Sequence, residues 1–449
     1  MQIILLSGGS GKRLWPLSNG TRSKQFLRLL RAPDGSCESM VQRVVRQLRE
    51  AGAGTHVTVA TSASQRDILV NQLGEQVHIV AEPERRDTFP AIALSTAWLA
   101  SELRCPADET VLVMPCDPYT EAGYFETLGR MAEAVGHGAA DLVLMGIRPD
   151  VPSSKFGYIV PRRETPASDG TMRVERFTEK PDEARARQLL EEGALWNGGV
   201  FAFRLGYMTD LLEKRLGTAS FSEVYRRYGE LPKISFDYEV AEKARSVAVI
   251  PYEGAWKDLG TWNALTEELP ARCIGNVRLG DRTQGTHVVN ELDIPIFCEG
   301  VEDTVVAANP DGILVCGKAW CERIKDQVDG LSVRPMYEER RWGLYKVLGQ
   351  TSYADGHRSL TKLLHLNAGC SISYQTHTRR EEVWTFVDGE GLLVLDGRVT
   401  RVGRGDVAHI RRGQRHAVKA ITALEIIEVQ SGDELVEEDI ERFGWNWPE

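Results

Sequence analysis

The chain has 449 residues, 42% of them apolar and 8% aromatic, with a formal net charge of −10. That length exceeds what one hydrophobic core supports and calls for two or three domains. The acidic balance argues against a general nucleic-acid or membrane-surface binder, either of which carries a basic excess, but leaves nucleotides open as ligands because a pocket needs only local cations.

The first element is the apolar run Gln2-Ile3-Ile4-Leu5-Leu6, a strand that empties into Ser7-Gly8-Gly9-Ser10-Gly11-Lys12-Arg13. Glycine lets the backbone turn sharply and approach a ligand closely, so successive amides can point at one anion. Lys12 and Arg13 add charge that a polyphosphate would use. A Walker loop is excluded, since it needs glycine where Leu6 stands and serine or threonine where Arg13 stands. A glycine-rich turn alone can be a mere tight bend, but Lys24-Gln25-Phe26-Leu27 soon returns a second lysine. Residues 7–18 followed by this tetrapeptide resemble the opening of the sugar-1-phosphate nucleotidylyltransferases. The Lys-Gln-Phe-Leu ending is similar to the mannose-1-phosphate guanylyltransferases, in particular the long bifunctional type with mannose-6-phosphate isomerase. That family usually has Thr where Lys12 stands, a change that keeps the loop's anion-binding sense. The resemblance implies a nucleotide-binding turn of Gly8, Gly9, Gly11 and Lys12, with Arg13 and Lys24 meeting a triphosphate.

Met40, Val41, Val44, Val45 and Leu48 have helical spacing, which predicts a helix from near Ser36 to Gly52. A strand is expected at 56–60, a helix at 68–73, a strand at 77–80, a helix at 91–103 and a buried strand at 111–114. This alternation predicts an α/β fold with a doubly wound, mostly parallel sheet. Ligands in such sheets sit beyond the carboxyl ends of strands, which puts the glycine turn and Asp117 on one face. A carboxylate just past a buried strand can hold Mg²⁺, a hard ion that bridges protein oxygens to phosphates. Taken alone, an Asp there is more often a turn former. The resemblance implies the metal role for Asp117, although the family's frequent His is replaced by Pro118.

The segment Glu82-Pro83-Glu84-Arg85-Arg86-Asp87 resembles the family's stretch near the nucleotide base and implies a contact from Arg85; solvated arginines are the plainer reading. Gly146-Ile147-Arg148-Pro149 and Phe156-Gly157-Tyr158-Ile159 match the family's sugar-side strand and turn. An isolated Glu179-Lys180-Pro181 would be a surface turn, and Trp196-Asn197-Gly198-Gly199 has Gly198 where the family commonly has Ser. The resemblance implies Lys180 on the sugar phosphate, with Gly157, Glu179 and Asn197 on the sugar. Trp256-Lys257-Asp258-Leu259-Gly260 supplies the second aspartate, which in the family completes the Mg²⁺ site with Asp117. A sugar-1-phosphate oxygen would attack the α-phosphorus of the nucleotide in line. The chain must then position two polyanions and neutralise their charge. No general base is required, because the attacking phosphate is already ionised.

Past residue 265 the helical spacing stops. Short strands at 275–277, 286–289, 294–297 and 304–306, with more to about 330, match the family's small β-helix-like connector. From Arg341 the chain is strand-rich, with glycine turns at 389, 391, 397, 403, 405 and 413, the rhythm of a β-barrel. Five of nine histidines lie after residue 350. The stretches 369–382 and 405–416 resemble the two halves of a cupin, with Gln375 in place of the usual first histidine. The implied ligands of a divalent ion, zinc foremost, are Gln375, His377, Glu382 and His416; unrelated surface residues are the plainer reading of these four. The isomerase family reads Gln-Met-His-His-His-Arg-Ala-Glu-His-Trp where this chain has Gln375-Thr376-His377-Thr378-Arg379-Arg380-Glu381-Glu382-Val383-Trp384. The ligand positions, Lys362 and Arg380 are kept. Three histidines are lost, at Thr378, Arg379 and Val383, and the family's Arg after the last ligand is Ala417. If the barrel isomerises mannose 6-phosphate, Lys362 and Arg380 are its charged residues.

The expected organisation is a nucleotidyltransferase domain over 1–265, a connector over 266–335 and a cupin barrel over 336–449. The expected reaction takes GTP and mannose 1-phosphate to GDP-mannose and pyrophosphate, for polysaccharide biosynthesis. Eight scattered cysteines without a C-x-x-C pair, no long apolar span and no leader-like N-terminus suggest a cytoplasmic protein with reduced thiols. A homodimer is expected, with neither nucleic acid nor membrane as partner. Two alternatives stay open: transfer to another sugar 1-phosphate or from another nucleotide, and a catalytically silent GDP-sugar-binding regulatory subunit.

Overall fold

The computed structural model describes residues 1–9, 12–53, 56–163, 167, 170–328, 330–331 and 334–448. They divide into two compact units. The first comprises Met1–Leu14, Ser23–Arg66 and Leu73–Ala271; the second comprises Trp15–Arg22, Asp67–Gln72 and Arg272–Glu449. No helix among the described residues is long and apolar enough to cross a membrane.

Along residues 1–271, which hold the first unit, strands and helices alternate: β1 (Gln2–Ser7), α1 (Met40–Glu50), β2 (Val57–Ser62), α2 (Arg66–Leu73, of which 67–72 count with the second unit), β3 (His78–Glu82), α3 (Thr88–Ser101), β4 (Thr110–Pro115). After them come β5 (Pro118–Thr120), α4 (Ala122–Gly136), β6 (Leu142–Ile147), β7 (Tyr158–Pro161), β8 (Met172–Thr178), α5 (Glu183–Glu191) and β9 (Leu195–Arg204). The unit ends with α6 (Leu205–Leu216), β10 (Val247–Tyr252), β11 (Trp256–Asp258) and α7 (Trp262–Glu268). Helix α1 starts later than its spacing suggested. Ser36 is engaged in a turn with Asp34, whose Oδ1 accepts from the Ser36 N–H and hydroxyl. Ser39 is the cap instead, accepting from the Gln42 N–H while the Gln42 side chain accepts from the Ser39 N–H. Ser39→Ala removes the hydroxyl half of that pair and keeps the backbone half, and is expected to cost about 1 kcal/mol, read as a lower urea midpoint with an unchanged slope.

The main sheet has nine strands in the order β3-β2-β1-β4-β9-β6-β10-β8-β7. Strands β1 to β4 pair in parallel, as does β10 with β6. Strand β9 runs antiparallel between β4 and β6. Successive strand residues face opposite sides. Ile4, Val111, Val113, Leu144 and Phe203 share a buried cluster with Ile92 and Ala93 of α3 and with Met208 and Leu212 of α6. Their neighbours Ile3, Leu5, Leu112 and Met114 are equally buried, so the sheet is covered on both faces. Beside it, β11 pairs antiparallel with β5, and the register sets Asp258 opposite Pro118. That small ladder delivers Asp258 to the residue next to Asp117.

The second unit opens with short strands Cys273–Ile274, His287–Asn290 and Thr304–Asn309, each parallel to the next, closed by antiparallel Gly312–Gly317. Val277–Leu279 and Ile296–Cys298 form a second parallel rung, the geometry of a small β-helix. The barrel that follows has a six-stranded and a five-stranded sheet. Its working strands are β12 (Arg358–Leu366), β13 (Tyr374–Thr376), β14 (Arg380–Asp388), β15 (His416–Ala420) and β16 (Leu424–Gly432). Trp384, Phe386, Leu360, Leu424 and Ile426 fill the space between the sheets.

Candidate active site

Strand β1 ends in Gly8 and Gly9, both exposed, with Gly9 at φ +137°, a conformation that favours glycine. Ser10 and Gly11 lie outside the described residues, so the predicted role of Gly11 has no geometry to report. The turn is tied down from its own chain. The Ser23 hydroxyl donates to the Gly9 carbonyl at 3.0 Å, and Gln65 Nε2 donates to the same carbonyl and to Ser23 Oγ. Gln25 Nε2 donates to Ser7 Oγ, and Phe26 is fully buried. Lys24 is thereby held beside the glycine turn. Its Nζ lies 2.9 Å from Asp117 Oδ2 and 2.5 Å from Asp258 Oδ1. Burial pulls the ammonium's pKa down, but Asp117 and Asp258 outweigh it and hold Lys24 above the usual lysine value. Two carboxylates far apart in sequence therefore converge on one cation at the ends of β4 and β11. Hard oxygen donors gathered in this way suit a divalent ion. Arg13 is exposed and Lys12 half-buried in the short helix that follows the turn. Arg85 reaches Ser62, where β2 ends.

From Asp117 and Asp258 a cleft of about 210 Å³ runs past Lys155, Phe156, Gly157, Trp256 and Asn197 to Glu179 and Lys180. Phe156 packs between Trp196 and Trp256, with ring centroids at 4.7 and 5.4 Å, and gives the cleft an aromatic wall. A Cβ on Gly157 would lie 2.3 Å from Glu179 Oε2, so any side chain there would displace the Glu179 carboxylate. Lys180 donates to Glu179 Oε1 at 2.7 Å. Asn197 donates to Asp237, and its own oxygen accepts from the Gly199 N–H. Burial, then the charge of Glu179, pushes the Asp237 carboxyl up to about 6. The cleft thus has cations and carboxylates at both ends and an apolar side. It is built to position two charged substrates rather than to supply a nucleophile.

In the barrel, His377, Glu382 and His416 offer ligand atoms all within 4.8 Å of one another, and all three are buried. Burial and Arg380 push His377 down to about 4, and burial also lowers His416. Both imidazoles are therefore held in the neutral form that ligates a metal. His377 Nδ1 faces the Asp439 carbonyl at 2.7 Å and His416 Nδ1 faces the Gln414 carbonyl at 3.0 Å, which turns each Nε2 inward. His416 Nε2 is buried without a hydrogen-bond partner among the described residues, the orphaned atom that a metal would satisfy. Gln375 sits alongside, its Nε2 3.4 Å from His377 Nε2. Arg380 also enters this cluster, with Nε 2.8 Å from Glu382 Oε1 and Nη2 3.2 Å from His377 Nε2. Lys362 is turned to another carboxylate, Glu437, at 2.8 Å. Burial would raise the Glu437 carboxyl, but Lys362 outweighs it and holds it down to about 2.

Two groups in these sites escaped the sequence reading. Asp237 sits in Phe236-Asp237-Tyr238, without glycines or spacing to mark it. Glu428 lies beneath the barrel cluster, where Trp384 Nε1 donates both to it and to Glu382. Burial, followed by Glu382, raises its carboxyl. A sequence signal existed for Glu428: it stands in the inward register of Leu424, Ile426 and Gln430, where an acid is out of place.

The nucleotidyl transferase family model matches residues 2–272, and the mannose-6-phosphate isomerase C-terminal model matches residues 333–444. The chain is 31% identical to the alginate biosynthesis protein AlgA of Pseudomonas aeruginosa, over 98% of this chain and 95% of that one. It is equally 31% identical to the mannose-1-phosphate guanylyltransferase of Escherichia coli, over 98% and 97%. Among solved structures, the mannose-1-phosphate geranyltransferase of Thermus thermophilus is similar at 30% identity and a TM-score of 0.60, covering 74% of this chain and 99% of that one. With its glycine turn, paired aspartates and C-terminal barrel in one continuous match, this chain belongs to the nucleotidyl transferase family, among the long mannose-1-phosphate guanylyltransferases that carry a mannose-6-phosphate isomerase domain.

Proposed function

We propose that this enzyme transfers GMP from GTP to mannose 1-phosphate, giving GDP-mannose and pyrophosphate. The observation that carries the reading is the convergence of Asp117 and Asp258 on Lys24 beside the glycine turn, at one end of a cleft whose other end holds Lys180. The choice of GTP and mannose draws support from the relative named for that reaction. In this reading the amides of Gly8 and Gly9, with Lys12, Arg13 and Lys24, take up the triphosphate charge, and Arg85 approaches the base. Lys180 leaves Glu179 for the sugar phosphate, while Gly157, Glu179 and Asn197 hold the sugar. Mg²⁺ on Asp117 and Asp258 would neutralise charge at the phosphate under attack. The chain contributes alignment and charge, so the in-line displacement needs no protein base.

The test is incubation with GTP, Mg²⁺ and mannose 1-phosphate, with GDP-mannose as the expected product. A pyrophosphate-release panel over other nucleotides and sugar 1-phosphates fixes the preference. A silent regulatory subunit would bind GDP-mannose and release no pyrophosphate in any combination.

In the barrel, Gln375, His377, Glu382 and His416 are proposed to hold a divalent ion, with zinc matching the buried donor set of two imidazole nitrogens and two oxygens. Lys362 and Arg380 are the charged residues a mannose-6-phosphate isomerase would use. Metal analysis with a coupled assay forming fructose 6-phosphate separates the roles: product assigns isomerisation, and bound metal with a blank assay assigns a stiffening role.

A further inference from the structure

The sugar end of the cleft contains a carboxylate that neither motif explains. Asp237 opens a short π-helix, Asp237–Ala241, a form that frequently marks functional sites. Its Oδ1 accepts from Asn197 Nδ2 at 2.5 Å. At the opposite end of the same amide, Asn197 Oδ1 accepts from the Gly199 N–H at 3.1 Å. Turning the amide over would set N–H against N–H at Gly199 and oxygen against oxygen at Asp237, so only one orientation satisfies both partners. In that orientation Asn197 keeps one N–H and one lone pair for a ligand. Its backbone N–H donates to the Gly157 carbonyl at 2.8 Å, which couples the amide to the turn on the other side of the cleft. Glu179, with a side chain only 5% exposed, has its Oε1 on Lys180, while its Oε2 is buried with no hydrogen-bond partner among the described residues. A buried carboxylate oxygen left in that position asks for a hydroxyl donor.

We propose that Asp237 is a positioning residue for the sugar 1-phosphate. It holds the Asn197 amide in the one orientation that offers an N–H and a lone pair to a sugar hydroxyl beside Glu179. Asp237 therefore sets affinity for the sugar and leaves the nucleotide untouched. The inference rests on the transferase reading above.

The test is a kinetic cycle of Asp237→Ala, Asn197→Ala and the double variant, with KM measured separately for mannose 1-phosphate and for GTP. Asp237→Ala is expected to raise the sugar-phosphate KM about tenfold in the wild-type background and less than about twofold in the Asn197→Ala background. KM for GTP is expected to stay within about twofold in every variant. Asp237→Asn, which keeps an acceptor oxygen, is expected to recover most of the loss while staying about threefold above wild type. Equal effects in both backgrounds would overturn the proposal, as would an unchanged sugar-phosphate KM or a matching rise for GTP. If Asp237→Ala does not fold, Asp237→Asn decides by itself, and a wild-type KM in that variant overturns the proposal. Calorimetric binding of mannose 1-phosphate reads the same contrast without turnover. A wild type that binds this sugar phosphate yet transfers nothing counts against the transferase reading, not against Asp237.

Discussion

Asp258→Asn is expected to abolish nucleotidyl transfer while leaving the fold intact. Asp258 comes from a three-residue strand beside the main sheet, its side chain 38% exposed and paired with the Lys24 ammonium at 2.5 Å. Partly exposed pairs of this kind contribute at most about 1 kcal/mol to stability, and Lys24 keeps Asp117 at 2.9 Å in the variant. The midpoint of thermal unfolding should therefore move by only a few degrees. Catalysis is another matter, because an amide carries no charge to hold a divalent ion against developing charge on the phosphate. Removing such a preorganised group costs about 10²–10³ in kcat or more. Steady-state kinetics at saturating GTP and mannose 1-phosphate, alongside a melting curve, give the result. Undiminished turnover would remove Asp258 from the site.

Glu382→Ala is expected to destabilise the barrel by about 3–5 kcal/mol. Glu382 is 1% exposed and holds the guanidinium of Arg380, itself 3% exposed, at 2.8 Å. Trp384 Nε1 and Gln430 Nε2 also donate to it. Cutting the carboxylate away leaves a buried positive charge and the Gln430 amide without their acceptor, where solvent cannot reach them, while the Trp384 N–H falls back on Glu428. Arg380 retains the Val436 carbonyl at 2.9 Å, which softens the loss without removing it. Urea unfolding should show the barrel transition at a lower midpoint, and metal analysis should show less bound ion. A shift below about 1 kcal/mol would mean that the cluster relaxes onto other partners.

The parallel half of the sheet, β1 to β4, was readable from sequence because its strands are short apolar runs between helices of ordinary spacing. Strand β9 was not readable in its direction. Trp196, Asn197, Val200, Phe201, Ala202 and Phe203 are all buried, and a strand covered on both faces looks the same run either way. The start of α1 was misjudged because Ser36 and Ser39 are chemically equal caps, and only Asp34, by capturing Ser36, decides between them.

What this chain determines by itself is its inventory and division of labour: a glycine turn with cations, acids at strand ends, and histidines confined to a strand-rich tail. Those follow from local pattern, since residue type and spacing are set along the chain. Which charges meet was decided only by tertiary structure. Lys24 lies between Asp117 and Asp258 because β5 and β11 pair in one register. Asp237 faces Asn197, and Glu428 lies under Glu382, because separate strands and turns close over the same space. Proximity in a fold depends on pairing and packing between distant segments, and no property of a residue's neighbours in the chain encodes it.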